Sequence, residues 1–411
     1  MRATGRRLAR RILAGLLLPA VLALPVGAEG APGPGAAAAG WSVPSLPPPP
    51  LDVPAREPSG PDVTADAAVL IDAATGRVLW ARNADEPRHP ASTTKMMTAL
   101  VALELGRPDQ QVKVGRDAAG TPGSSAGISA GERYTLAQLL RGLLLRSGND
   151  AAVAIAQAVS GSVPAFVARM NAKARALGLQ DTHFVNPHGL TDPLHRSSAF
   201  DLALIARAGL RVPAFAALVD SAEAQMAGET SLGQEIRRDI HNTNRLLLAY
   251  DWVDGVKTGT TSAAGSCLVA SGTRGGMQLI AVVLHSDDRW GDALRMLQWG
   301  FSHFSPRLAA ARGQGVAPVP VLGARDRRAR VEAVAARALE APVGLDEWPW
   351  LTERRRLAAH VEAPVRAGQR LGTLTLLLAG RPLGSVPLLA AADVPRASVG
   401  RLLLRGLGLP V

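Results

Sequence analysis

The chain has 411 residues, of which 47% are hydrophobic and 19% charged, and this balance excludes a largely disordered protein. Its length exceeds that of one ordinary core, so we expect a domain of about 250 residues and a smaller one. The formal charge of +11 would by itself suit a nucleic-acid partner, whereas the single cysteine, Cys267, excludes an internal disulfide. The apolar neighbours of Cys267 predict a buried strand thiol rather than a nucleophile.

Residues 1–28 have the layout of a secretory signal peptide. Five arginines come first, an apolar stretch runs from Ile12 to Leu24, and small residues end the segment. A membrane-spanning anchor is the alternative, but Pro19 and Pro25 interrupt the apolar stretch. We therefore expect an exported, periplasmic protein, either free or peripheral on the outer face of the cytoplasmic membrane.

Export changes the meaning of the basic charge. Cleavage after residue 28 removes five arginines and lowers the formal charge from +11 to +6. A nucleic-acid partner is then not expected, and the remaining charge favours anionic lipid head groups or wall polymers. A merely arginine-rich composition is the alternative explanation.

The first folded element follows a tether. Residues 29–62 are rich in Pro, Ala and Gly, which predicts an extended linker. The segments Ala67 to Asp72 and Arg77 to Ala81 read as strands, and the turn residues between them predict a hairpin.

Helices are predicted next. Good helix formers occupy Thr94 to Glu104, and a second amphipathic stretch runs from Pro164 to Leu177. Between them Thr135 caps a helix whose leucines recur at core-facing spacing, namely Leu136, Leu139, Leu140, Leu143 and Leu144.

Strand signals return late in this domain. The apolar runs Leu268 to Ser271 and Met277 to His285, joined through two glycines, predict a buried hairpin. Strands at both ends of residues 63–305 with helices between them indicate an α/β (α+β) domain whose sheet is assembled from distant parts of the chain.

The remainder of the chain has a different character. Short alternating runs and turn residues predict a β-rich domain over residues 306–395. Within residues 396–411, the stretch from Ala397 to Leu409 carries spaced leucines and two arginines four positions apart, a pattern that can lie in a lipid interface. Ordinary docking of this segment onto the domain, or simple fraying, remains an alternative.

Three short motifs occur in order, and they carry the chemistry. They are Ser92-Thr93-Thr94-Lys95, Ser147-Gly148-Asn149 and Lys257-Thr258-Gly259. Their first residues are separated by 55 and 110 positions (147 − 92 and 257 − 147), so one domain of ordinary size can bring them to a single cleft.

The first motif supplies a nucleophile with its base. At the start of a helix Ser92 and Lys95 lie one turn apart, so the amine can reach the hydroxyl. A desolvated lysine whose pKa falls can accept the serine proton. The helix start also directs the Ser92 backbone N–H towards an oxyanion, and Gly259 on a strand edge would let substrate approach the backbone.

Lysine usage supports this interpretation. Of 45 basic residues only four are lysine, and two of these, Lys95 and Lys257, lie in the motifs. Arginine does not lose its proton in a protein, whereas lysine can. A base role therefore explains Lys95, while Lys257 is better explained as a compact positive charge.

The motifs together resemble the set found in penicillin-binding proteins and serine β-lactamases. The surrounding sequence, including His89-Pro90-Ala91 before Ser92 and Val253-Asp254-Gly255-Val256 before Lys257, is similar to that of low-molecular-mass D-alanyl-D-alanine carboxypeptidases. The likeness covers residues 63–305 strongly. It implies a penicillin-binding/β-lactamase-like fold with a mainly antiparallel sheet flanked by helices, followed by a small all-β domain.

The resemblance also implies a reaction. Ser92 would attack the penultimate D-alanine carbonyl of a peptidoglycan stem peptide, with Lys95 taking the serine proton. Ser147 would relay a proton to the leaving D-alanine, and Asn149 would hold Lys95 and the substrate amide. Water would then release the shortened peptide, and β-lactam antibiotics would inhibit by the same acylation. No metal or organic cofactor is implied.

The third motif is implied to bind substrate. Lys257 and Thr258 would bind the terminal carboxylate beside Gly259, while the backbone N–H groups of Ser92 and Thr260 would form the oxyanion hole. One departure from the family concerns the extra arginine that some members place between two asparagines. That position is Thr243 here, and nearby Arg245 is either its substitute or a solvated surface arginine.

Other interpretations stay open. A serine β-lactamase would need a positioned glutamate after the second motif, and Ser160 to Phe200 contains none. A catalytically silent wall-binding protein and a cross-linking transpeptidase would share the motifs. His183, His188 and His195 are close in sequence but lack metal-ligand spacing, so we expect loop structure there.

Overall fold

The computed structural model describes residues 60–344, 346–398 and 400. The predicted signal peptide, nearly all of the predicted linker and most of residues 396–411 lie outside the described residues. The helices of the described chain are α1 (Lys95–Leu105), α2 (Arg116–Ala119), α3 (Leu136–Leu144), α4 (Asn149–Ser160), α5 (Val163–Ala176), α6 (Ala199–Leu210), α7 (Pro213–Asp220), α8 (Leu246–Ala249) and α9 (Arg289–His303).

Strands lie on both sides of these helices in sequence. Those of the first domain are β1 (Ala67–Asp72), β2 (Val78–Arg82), β3 (Gln111–Lys113), β4 (Arg133–Thr135), β5 (Glu223–Glu229), β6 (Glu235–His241), β7 (Val253–Thr261), β8 (Gly265–Arg274) and β9 (Met277–Leu284). Those of the second are β10 (Phe304–Ala310), β11 (Gly315–Leu322), β12 (Arg330–Ala335), β13 (Leu339–Gly344), β14 (Leu351–Leu357), β15 (Val361–Glu362), β16 (Arg370–Leu378) and β17 (Arg381–Ala390).

The central sheet of the first domain has the order β2-β1-β9-β8-β7. All of its pairs are antiparallel, and β1 meets β9 with Val69 opposite Val282. The strands predicted at the two ends of this domain are therefore neighbours in one sheet, which confirms that prediction.

Alternation along β1 explains why both faces of the sheet are covered. Val69 and Ile71 pack into a core with the helices, whereas Ala68 and Leu70 pack into a second core that includes Met296 of α9. Because successive strand side chains point to opposite faces, an apolar strand needs a partner layer on each side. The result is a sheet between two helical layers.

Helix α1 lies inside the first core. Its residues from Lys95 to Leu103 are buried, including Met96, Met97 and Leu100. Helices α3 and α4 pack beside it, and Thr135 accepts a hydrogen bond from the Gln138 N–H as the predicted cap of α3. A helix that is apolar on all sides belongs in a core, so the start of α1 is rigidly held.

A smaller sheet, of order β3-β4-β5-β6, adjoins the helical layer. The sequence did not predict it, because β3 and β4 are each three residues long and β5 and β6 are mostly polar. Strands of this kind lack the apolar alternation on which sequence interpretation depends.

The second domain is all-β in the described chain, as predicted. It forms a six-stranded sheet, β14-β16-β17-β12-β11-β15, and a two-stranded sheet, β10-β13, around its own apolar core. Its first strand starts at Phe304, directly after α9 ends at His303. The Arg77 guanidinium joins the domains by donating hydrogen bonds to the Pro342 carbonyl and the Glu347 carboxylate.

Within residues 60–344, 346–398 and 400, no individual helix has both the length and the apolar character to cross a bilayer.

Candidate active site

Ser92 and Lys95 lie at the buried start of α1. A 3-10 turn, Ala91–Thr94, carries Ser92 and runs directly into the helix, and Ala91 adopts a φ of 48°. A left-handed alanine is uncommon and must be held by its surroundings. The turn places the Lys95 Nζ 2.8 Å from the Ser92 Oγ.

The Lys95 amine is enclosed by acceptors. Its Nζ donates to the Asn149 Oδ1 and to the His188 carbonyl oxygen, each at 2.7 Å. A neutral amine has two N–H bonds and one lone pair, so these carbonyl groups can take both hydrogens and leave the lone pair facing the Ser92 hydroxyl. With the amine neutral, this arrangement suits a base, whereas a protonated amine would donate to all three oxygen atoms.

Burial and charge favour the neutral form of that amine. Complete burial is the main cause that holds the pKa of Lys95 well below its usual range, and the charge of Lys257 adds to it. The Asp150 carboxylate acts in the opposite direction and raises the pKa of Lys95. The base role predicted for Lys95 is therefore supported by the burial of its amine, which lowers the pKa.

The second motif bridges α3 and α4. Ser147 is buried with a φ of 61°, and Asn149 is the first residue of α4. The Asn149 Nδ2 donates to the Pro122 carbonyl at 2.6 Å, and its backbone N–H donates to the Ser124 carbonyl at 2.7 Å. These bonds orient the amide so that its oxygen faces Lys95.

Asp150 secures the loop that holds Asn149. Its carboxylate accepts hydrogen bonds from the Ser125 hydroxyl at 2.6 Å and from the backbone N–H groups of Ala126, Gly127 and Ile128. A buried carboxylate is stable only with such compensation. Sequence interpretation missed this residue, although it follows the second motif directly.

The third motif lies on β7, beside the nucleophile. Lys257 is buried, and burial, aided by the charge of Arg289, lowers its pKa to about 7. The Thr258 Oγ1 lies 2.7 Å from the Thr243 Oγ1. Thr243, which replaces the arginine of some family members, therefore orients a hydroxyl of the motif instead of supplying a charge.

Gly259 has a packing role that the sequence did not predict. A Cβ atom at this position would lie 3.0 Å from the Pro90 carbonyl oxygen and 3.1 Å from the Ser92 nitrogen. Glycine is therefore needed so that β7 can pack against the nucleophile turn, and not only so that a substrate can approach the strand.

Arg289 was not predicted from the sequence. From the first position of α9 it donates to the Gly259 carbonyl at 3.0 Å and to the Thr260 Oγ1 at 2.7 Å. Burial is the main cause that lowers the pKa of Arg289, and the charge of Arg245, exposed at the start of α8, lowers it further. The end of β7 is thus positively charged.

The loop that contains His188 and His195 has a structural role in the site. His188 contributes its backbone carbonyl to Lys95. The His195 ring accepts from the Val185 N–H at Nδ1 and lies 2.8 Å from the Thr94 hydroxyl at Nε2. Burial lowers the pKa of each ring to about 4, so both are neutral at physiological pH. In the part of the chain that the structure describes, no cluster of histidine, cysteine or acidic side chains suits a metal ion.

The comparisons with known proteins agree with this geometry. A family model described as D-alanyl-D-alanine carboxypeptidase matches residues 54–288, more than half of the chain. The chain belongs to the D-alanyl-D-alanine carboxypeptidase family. A second model, described as the C-terminal domain of penicillin-binding protein 5, matches residues 304–396.

Relatives of this carboxypeptidase family extend over most of the chain. DacF of Bacillus subtilis is 35% identical over 352 residues, covering 84% of this chain and 89% of that protein. DacA of Escherichia coli is 35% identical over 378 residues, covering 85% of this chain and 88% of that protein. Both are named D-alanyl-D-alanine carboxypeptidases.

Solved structures confirm the predicted penicillin-binding fold. Penicillin-binding protein 5 from Haemophilus influenzae aligns with a TM-score of 0.67 and 32% identity, covering 82% of this chain and 99% of that one. The Streptomyces K15 DD-transpeptidase aligns with a TM-score of 0.58 and 33% identity, covering 59% of this chain and 99% of that one. The predicted family and fold class are both confirmed.

Proposed function

We propose that this carboxypeptidase-family member removes the terminal D-alanine from peptidoglycan stem pentapeptides through an acyl-enzyme on Ser92. One observation carries the proposal: a buried lysine lies 2.8 Å from a serine hydroxyl while two carbonyl groups accept its N–H hydrogens. The names of the relatives support the choice of substrate.

Acylation follows from the position of Lys95. Its neutral amine takes the Ser92 proton as the Oγ attacks the carbonyl carbon of the penultimate D-alanine. Ser147 then relays a proton from the Lys95 ammonium to the departing D-alanine nitrogen, which leaves Lys95 neutral again, and Asn149 keeps Lys95 oriented while it contacts the substrate amide. Water hydrolyses the ester and restores Ser92. A β-lactam ring acylates the same hydroxyl, so penicillin inhibits. The proposal assigns no metal or cofactor.

Charge at β7 supports carboxylate binding. The oxyanion would be held by the backbone N–H groups of Ser92 and Thr260. Lys257, Thr258 and Arg289 would bind the terminal carboxylate of the peptide beside Gly259. Because the pKa of Lys257 is lowered to about 7, an arriving carboxylate would raise that pKa and favour the charged form. Arg245 is near enough to add to the positive charge around β7.

The cellular location is proposed from the sequence. The protein would be exported by its first 28 residues and work on the outer side of the cytoplasmic membrane, where stem peptides occur. Residues 396–411 would attach it to the membrane surface, and nucleic acid would not be a partner.

A transpeptidase is a second candidate, because the Streptomyces enzyme of that activity is 33% identical over 59% of this chain. The two activities differ only in whether water or an amine accepts the acyl group. Product analysis with an added peptide amine distinguishes them, since a transpeptidase would form the cross-linked peptide at the expense of hydrolysis.

The deciding experiment measures free D-alanine released from a synthetic pentapeptide. The wild type should release it, and penicillin or Ser92→Ala should abolish release. D-alanine release by a folded Ser92→Ala variant would refute the proposal, and penicillin labelling without release would indicate a silent wall-binding protein. Rapid turnover of a chromogenic cephalosporin would instead indicate a β-lactamase.

A further inference from the structure

Charge is unevenly divided between the two domains. Residues 304–398 contain fourteen arginines, no lysine and eight acidic residues, which gives a net charge of +6. Residues 29–303, which include the catalytic domain, contain 24 basic and 26 acidic residues, a net charge of −2. The basic excess therefore belongs to the domain that contributes none of the active-site residues.

Half of the second domain's arginines lie at one end of its six-stranded sheet. The pairings Ala333 with Ala390 and Arg370 with Leu389 place the start of β12, the end of β17 and the start of β16 at that end. The bridge from Ala324 to Arg396 adds the loop after β11. The exposed arginines at this end, hereafter the arginine end, are Arg325, Arg327, Arg328, Arg330, Arg366, Arg370 and Arg396.

Few acidic groups face these arginines. The acidic residues of the same loops are Asp326, Glu362 and Asp393. Asp326 accepts from the Arg328 backbone N–H, and Asp393 accepts from the Ala367 backbone N–H. These two carboxylates therefore stabilise turns, and the arginine end keeps a net charge of +4.

The chain passes from the arginine end into residues 399–411. The Ala397 N–H donates to the Gly323 carbonyl, so the described chain is held there just before this segment. The segment contains Arg401 and Arg405 and no acidic residue, and its apolar positions are Val399, Leu402, Leu403, Leu407 and Leu409. Leu322, about half exposed, adds an apolar side chain to the arginine end itself.

We propose that the arginine end is a docking surface for a bilayer rich in anionic lipid. Arginines attract anionic head groups when they lie within a Debye length of the membrane, about 10 Å at 0.1 M salt. A soluble polyanion would use the charge alone, whereas the exposed Leu322 at the arginine end and the apolar positions in the sequence that follows it suit the head-group boundary. The inference extends the membrane attachment proposed for residues 396–411 and is independent of the proposed hydrolysis.

The opposite end of the same sheet supplies a matched control. Its turns carry three exposed arginines, which are Arg312, Arg337 and Arg381. That end also carries Trp350, which is 64% exposed and would make it the rival lipid-facing surface. Replacing three arginines at either end changes the net charge equally. A difference between the two variants therefore shows which end of the sheet binds the vesicles.

The experiment measures partition of the purified protein onto vesicles of phosphatidylcholine with or without phosphatidylglycerol. R325A/R327A/R328A should weaken partition onto the anionic vesicles at least about tenfold, since each arginine contributes a several-fold effect near a charged surface. R312A/R337A/R381A should change it less than about twofold. R325K/R327K/R328K should retain binding, and the circular dichroism spectrum and thermal unfolding should report an intact fold in every variant.

Equal losses in the two alanine variants, or no loss at the arginine end, would overturn the proposal. Tight binding to soluble polyphosphate without binding to anionic vesicles would overturn the lipid assignment. L402S/L403S separates the two membrane proposals. If only this variant loses binding, residues 396–411 attach the protein without the arginine end. If only R325A/R327A/R328A loses binding, the arginine end attaches the protein without the leucines of residues 396–411.

Discussion

Gly259 packs directly against the Ser92 turn. An added Cβ at residue 259 would lie 3.1 Å from the Ser92 nitrogen, which is tighter than ordinary van der Waals contact. The neighbouring atoms are backbone and a buried alanine, so they have little freedom to move. The gap between β7 and the nucleophile is therefore set by the absence of a side chain.

Gly259→Ala should reduce the catalytic rate more than stability. A displacement of a few tenths of an ångström between β7 and Ser92 would misplace the scissile carbonyl, and we expect kcat/KM to fall about 10- to 100-fold. The measurement is D-alanine release, with penicillin acylation as a second readout. Gly115→Ala is the control, because its Cβ would meet only an ordinary 3.4 Å contact. Equal loss in both variants would contradict this explanation.

Lys95→Arg should abolish acylation although it keeps a cation. A guanidinium does not give up its proton and cannot accept that of Ser92, so we expect a loss of at least about a thousandfold. Rates of labelling by a fluorescent penicillin measure the effect. Lys173→Arg makes the same change in a lysine paired with Glu104 at 2.7 Å, and it should retain wild-type activity. Substantial labelling of Lys95→Arg would remove the lysine base from the mechanism.

The acid limb of the pH profile should report Lys95. Activity requires the neutral amine, so kcat/KM should rise with pH until it passes the pKa of Lys95. Asp150 raises that pKa, and Asp150→Asn should therefore shift the acid limb to lower pH. The same variant loses acceptors for buried N–H groups, so stability should fall by about 1–3 kcal/mol.

Asp292→Asn is the control for that shift. Asp292 is also buried and accepts from the backbone N–H groups of Thr64 and Ala65. Its replacement should lower stability without moving the acid limb, because the charge of Asp292 is not among the causes of the Lys95 shift. An acid limb that moves equally in both variants would show that loosened structure, not the Asp150 charge, controls the base.

Lys257→Met should stabilise the fold while it weakens substrate binding. The folded pKa of Lys257 is about 7 and its ordinary value is 10.5, so between these values the unfolded chain binds the extra proton and stability rises with pH. At pH 7 the buried amine therefore opposes folding, and its removal should add about 1–3 kcal/mol to the unfolding free energy. Urea unfolding at pH 7 and pH 10 measures this, and the gain should shrink at pH 10. A loss of stability at pH 7 would contradict the assigned pKa direction.

Much of the fold was predictable from local patterns. The predicted strand Ala67 to Asp72 has those bounds in the structure, and its partner runs from Val78 to Arg82 in place of Arg77 to Ala81. The helix predicted from Thr94 is α1, which begins at Lys95 after a 3-10 turn. Apolar periodicity carries this information, because buried faces must be continuous.

The contacts around Lys95 were less predictable. The expectation that Asn149 holds Lys95 agrees with the hydrogen bond that its side-chain oxygen accepts. The His188 acceptor is a backbone carbonyl, so the type of residue at this position does not indicate the contact. Arg289 is likewise one of many arginines in this sequence, and only the packing of α9 against β7 gives it significance. Contacts between positions far apart in the chain depend on topology, which a linear pattern does not encode.

The amino-acid sequence alone determined the chemical groups: a serine and a lysine one helical turn apart, two further motifs, and lysine kept where arginine cannot serve. Only the tertiary structure decided what those groups can do. Folding buries Lys95 beside the charge of Lys257 and presents two carbonyl acceptors to its amine. The physical reason is that a pKa depends on solvation and on neighbouring charge, and both exist only once distant segments are packed together.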